Sequence, residues 1–180
     1  MKRMLLSVLL VVLSMLVMSC AGTPEVSDPS GLDISFRRLT AGDLVRYSVD
    51  KGLNPYYHDG LMLRPEETIV FRATVTTARP LGFELGRLYT YDENGVQVAE
   101  FFDRSRFLTF LERWTTDPSD YTRLVDEVKR SYIPYGELKL KPGKRDYILV
   151  LVGKRPLPKI TSLRGLIFID GSTVDVDYNL

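Results

Sequence analysis

The chain is 180 residues long and carries 24 basic and 23 acidic side chains, one histidine and one cysteine. So balanced a charge argues against a nucleic-acid partner, which calls for a basic bias or stripe. A single cysteine can form no internal disulfide, and one cysteine with one histidine cannot furnish a zinc ligand set.

Lys2 and Arg3 precede an apolar run over residues 4–18, broken only by Ser7 and Ser14. Two charges ahead of a short apolar core are the pattern of an export signal. At about 1.5 Å per residue the run is short for crossing a hydrocarbon layer about 30 Å thick. It stops at Ser19-Cys20-Ala21-Gly22. Val17-Met18-Ser19-Cys20 resembles the lipobox of bacterial lipoproteins: an aliphatic residue, a variable one, a small one, then cysteine. The resemblance is confined to residues 1–20. It implies that 1–19 are a signal peptide removed on export, and that Cys20 becomes the diacylated first residue of the mature chain. It also implies that the protein is held to a membrane of the bacterial cell envelope through that anchor. Ala21 resembles the outer-membrane sorting pattern of enteric lipoproteins. Acylation disposes of the lone thiol, and two or three acyl chains, at about 0.8 kcal/mol per buried methylene, anchor stably. Without Lys2 and Arg3 the mature chain keeps 22 basic against its 23 acidic residues.

Residues 20–31, after the cysteine AGTPEVSDPSG, are rich in Gly, Pro, Ser and acid and read as a flexible tether, at most roughly 40 Å long when extended. One folded domain over 32–180 is expected to follow. Residues 44–49 alternate with period two and predict a strand, as do 69–75 and 81–91; Gly86 and the adjacent Leu88-Tyr89 break the last alternation and suggest a bulge. Asn94-Gly95 predicts a tight hairpin into a strand over 96–102. The period then changes. Phe107, Leu108, Phe110, Leu111 and Trp114 form one helical stripe; Tyr121, Leu124, Val125 and Val128 form a second, with Asp117 as cap and Pro118 in its first turn. Lys141-Pro142-Gly143-Lys144 predicts a turn joining 137–140 to 147–152, and Asp170-Gly171-Ser172 joins 166–169 to 174–178. About eight strands with a two-helix insertion at about 105–131 predict a mainly β fold. The expected architecture is an antiparallel two-sheet β-sandwich of immunoglobulin-like or jelly-roll-like type, with a small barrel plugged or lidded by the helices as the alternative.

Catalytic signals are sparse. His58 is the only histidine and falls in Asn54-Pro55-Tyr56-Tyr57-His58-Asp59-Gly60, of loop composition, where a solvated histidine is the plain reading. No serine lies in a nucleophile elbow, and no Gly-rich phosphate loop is present. Asp175 and Asp177 alternate with Val174 and Val176 and so share an outward strand face, without the spacing of a calcium loop. No cofactor or metal is expected. Tyr56 and Tyr57 are adjacent and should point apart, so one is expected at the surface. Trp114 fits its helix's apolar stripe, and stacking on a partner is its second reading. Together Tyr56, Tyr57, His58 and Trp114 are the candidate binding surface. The functional expectation is a non-enzymatic envelope lipoprotein that binds a protein or glycan partner or supports envelope organisation. The alternatives are a lipid or small-molecule carrier with a helical lid, and a carboxylate-based hydrolase of envelope glycans.

Overall fold

A computed structural model describes residues 26–28, 31–50, 52–57, 68–154 and 156–180. Cys20 with its lipobox, and His58, lie outside the described residues. Among the described residues are nine strands: β1 (Val26–Asp28), β2 (Leu32–Arg38), β3 (Thr68–Thr77), β4 (Leu81–Asp92), β5 (Gln97–Phe102), β6 (Leu138–Leu140), β7 (Gly143–Gly153), β8 (Ile160–Ile169) and β9 (Ser172–Asn179). The helices are α1 (Ala41–Leu44), which runs on into a 3₁₀ turn over Val45–Tyr47, α2 (Arg104–Trp114) and α3 (Pro118–Ser131).

All nine strands belong to one antiparallel sheet, ordered β1-β2-β3-β7-β5-β4-β8-β9, with β6 also paired to β4. The sheet curls into a half-barrel. Alternating burial explains the curl. Leu32, Ile34 and Phe36 of β2, Phe71, Ala73 and Val75 of β3, and Val176 and Tyr178 of β9 are all buried on one face of their strands. The curl brings β9 back to β2: the Tyr178 hydroxyl donates to the Ile34 carbonyl at 2.5 Å, and its ring stands edge-on to Phe36 at 4.9 Å. The expected mainly β, antiparallel fold is therefore present, and its division into two facing sheets is not confirmed, because one hydrogen-bonded path links every strand.

The helices lie against the sheet. Phe107 and Leu111 of α2 and Leu124 and Val128 of α3 are fully buried. Each such side chain contributes about 1.5–3 kcal/mol by leaving water. Asp117 caps α3 by accepting from the Ser119 and Asp120 amides, and Asp103 caps α2 by accepting from the Arg106 amide. The two helices and the Asp117 cap stand as expected, and Trp114, expected in the core as part of its stripe, is instead 46 % exposed at the helix end.

Three local expectations are corrected. The alternation over 44–49 is not a strand. Thr40 accepts from the Asp43 amide while the Asp43 carboxylate takes the Thr40 amide, and this reciprocal cap starts α1 instead. The turn after β6 does not make a hairpin, because β6 pairs with β4 while β7 pairs with β3 and β5. Within the expected tether, Val26–Asp28 pairs with β2 as β1.

Candidate functional site

The site begins with a gap in the sheet. On one side β4 pairs with β5 over Tyr89–Tyr91 and with β6 over Leu81–Phe83. Between them, over residues 84–88, no described strand pairs with β4 on that side. The cause is the insertion: the chain leaves β5 at Phe102, runs through α2 and α3, and returns as β6 beside the far end of β4.

On its other side the same stretch bulges. Leu85 faces Ile167 and Leu88 faces Gly165, so β4 advances three residues while β8 advances two. Glycine makes this possible. A Cβ at Gly165 would sit 2.0 Å from the Arg87 carbonyl oxygen, and one at Gly86 would sit 2.7 Å from that of Leu166. The bulge foreseen at Gly86 is thus confirmed, and it turns Arg87 outward, where it is exposed.

Gap and bulge together form a groove of about 490 Å³. Its floor is β4 from Glu84 to Tyr89; Glu100, Phe101, Asp103 and Arg106 make one wall, and Tyr135, 74 % exposed, stands on the rim. Two of its three carboxylates are engaged: Glu100 pairs with Arg106 at 2.8 Å, and Asp103 holds the start of α2. The Arg106 guanidinium also lies over the Phe102 ring, 4.3 Å from its centre. Glu84 contributes the third acid and Arg87 the second cation.

Tyr132 supports the wall from behind. It follows α3, runs beside β7 at Ile148, and is 1 % exposed. Its hydroxyl donates to the Phe102 carbonyl and accepts from the Val150 amide, so one oxygen joins β5 to β7 where they part. Burial raises its ionisation well above the ordinary tyrosine range. Its ring stacks on Phe107 at 5.0 Å and on Tyr56 at 6.2 Å. These stacked rings pack between the helices and the sheet.

The residues expected at a binding surface are dispersed. Tyr56 is 1 % exposed, with its hydroxyl 2.8 Å from that of Ser131, and it belongs to the aromatic layer. Its neighbour Asn54 fixes it there, accepting the Tyr56 amide while donating to the Leu44 carbonyl. Tyr57 is half-buried. Trp114 is 46 % exposed at the end of the α2 stripe and touches the ring of Phe110 at 6.1 Å. Asp175 and Asp177 are exposed as expected of an outward strand face, and Asp177 pairs with Arg164 at 3.2 Å. Of the expected surface residues, Tyr56, Tyr57 and Trp114 do not line the groove, and His58 lies outside the described residues. Its one sequence signal was the broken alternation at Gly86 and Leu88-Tyr89; Arg87, Glu100, Asp103, Arg106 and Tyr135 lack a spacing that would single them out. No family model, no curated protein and no solved structure matches the chain.

Proposed function

We propose that this is a lipid-anchored protein of the bacterial envelope, acylated at Cys20, whose groove on β4 holds an extended segment of a protein partner without acting on it chemically. The observation that carries the reading is the stretch of β4 over 84–88 that, among the described residues, has no strand neighbour between β5 and β6. An extended peptide laid there would find backbone groups along its length. Arg87, Arg106 and Glu84 would select among sequences by charge, and Tyr135 supplies an aromatic contact with few rotamers to lose. The lipobox supports the anchor.

A photo-crosslinking residue in place of Tyr135, in cells, tests the groove. Crosslinks to a defined peptide segment, lost when Arg87→Glu is added, are expected. Crosslinks unchanged by Arg87→Glu would refute it. Mass spectrometry of the mature amino terminus tests the anchor, and an unmodified Cys20 would refute that part.

The three carboxylates in one groove favour a second reading, hydrolysis of an envelope glycan. It requires release of glycan fragments by the purified protein and loss of that release in Glu84→Gln.

A further inference from the structure

The turn between β6 and β7 carries charge that the groove does not use. Residues 138–145 read LKLKPGKR, four cations and no acid. Lys139, Lys141 and Lys144 are exposed, and Arg145 donates to the Lys141 carbonyl at 2.6 Å, which folds the turn on itself.

The strand register places this turn beside the point where the chain joins the sheet. Ser27 of β1 faces Asp33 of β2, Asp33 faces Thr76 of β3, and Thr76 faces Lys144 of β7. On the adjacent row, Val26, Ile34, Val75 and Arg145 line up in the same way. Three strand spacings of about 4.8 Å put the lysine row roughly 14 Å from β1. Six Cα steps separate Cys20 from Val26, at most about 22 Å. A membrane that holds Cys20 therefore lies within reach of this turn.

We propose that the β6–β7 turn is a second membrane contact, in which Lys139, Lys141, Lys144 and Arg145 engage the headgroups of anionic lipids and fix the domain's orientation on the bilayer. The inference rests on the acylation of Cys20 proposed above. Clustered cations next to an anchor gain about 1 kcal/mol each at an anionic surface, about fivefold in the docked ratio. An acyl anchor alone would leave the domain free to rotate on its tether. Anchor and turn together give the bilayer two points of attachment.

The full-length acylated protein, reconstituted in vesicles, carries its own controls. Amine acetylation read by mass spectrometry is compared between phosphatidylglycerol and phosphatidylcholine vesicles. Labelling of Lys139, Lys141 and Lys144 is expected to fall severalfold in the anionic vesicles and to recover in 1 M salt, while Lys129 and Lys159 label equally in both. Lys141→Gln with Lys144→Gln should lower the docked ratio about 30-fold and return Lys139 to its phosphatidylcholine level. Protein that sediments with the vesicles and labels uniformly overturns the contact and keeps the anchor. Protein that neither sediments nor shows selective protection overturns both. A soluble acidic partner for this turn would leave the lysines open in protein-free vesicles, which also overturns it.

Discussion

Tyr132→Phe isolates one oxygen atom. The ring remains, with its stack on Phe107 at 5.0 Å, so packing is preserved. What disappears is the acceptor of the Val150 amide and the donor to the Phe102 carbonyl. Both sit in a region where Val150 is completely buried. A buried polar group left unpaired costs about 1–3 kcal/mol, so the two together cost about 2–6 kcal/mol if nothing moves. Closure of β5 onto β7 would recover one bond of about 1 kcal/mol. The expected loss is about 2–3 kcal/mol, read by urea unfolding followed through the single tryptophan, with an unchanged m-value. The pH dependence adds a second readout. Burial raises the Tyr132 ionisation in the folded protein well above its unfolded value. Its contribution is therefore complete below about pH 10 and is lost as pH rises past that point. The wild type should lose stability more steeply than Tyr132→Phe above pH 10. A variant within 0.5 kcal/mol of wild type at pH 7, or one with the same alkaline limb, would refute the bridging role.

Gly165→Ala should cost about 2–3 kcal/mol and lower Tm by roughly 5–10 °C, because its Cβ would meet the Arg87 carbonyl oxygen at 2.0 Å and force β8 off the bulge; calorimetry showing no change would mean that the bulge yields freely. The Thr40 amide and hydroxyl, helped by Arg37, hold the Asp43 carboxyl at a pKa of about 2. That lies below the unfolded value of about 3.9, so its contribution is present above pH 4 and is lost as pH falls toward 2. Asp43→Asn should accordingly be less stable than wild type at pH 6 and indistinguishable from it near pH 2, as measured by denaturation at each pH; a gap independent of pH would contradict the assignment.

What was legible in the sequence had short-range causes. Asn94-Gly95 turns because Gly95 takes φ 73° and the Asp92 side chain accepts from the Asn94 and Val96 amides, all within five residues. Asp117 and Pro118 start α3 for equally local reasons. The alternation over 44–49 is overridden by the Thr40–Asp43 cap just before it, which starts a helix and leaves Val45 63 % exposed. β2 is absent from the expected strands although Leu32, Ile34 and Phe36 alternate and are buried. Pairing was less legible still. A turn such as Lys141-Pro142-Gly143 reverses the chain, and whether the two arms then meet depends on what already occupies the edge. Here β3 and β5 flank β7, and β6 is left to β4.

That same competition for edges explains why the groove lies where it does. β4, at twelve residues, is the longest of the described strands, and β5 covers only its last third with β6 at its start. Extending β5 backward along β4 is impossible because Asp103 turns the chain into α2, with the Arg106 amide on its carboxylate. Extending β6 is prevented at the other end, where residues 132–133 are drawn to β7 by the Tyr132 bridge and the Ile133 amide bonded to the Ile148 carbonyl. The uncovered stretch is therefore fixed from both ends, by Asp103 in its own wall and by Tyr132 and Ile133 outside it. The bulge at Gly86 sits in the middle of that stretch, the one part of β4 where two partners did not dictate the register. A groove positioned this way should keep its shape when its charges other than Asp103 are changed. Substitutions at Glu84 or Arg87 then report on recognition, and those at Tyr132 or Gly165 report on the frame.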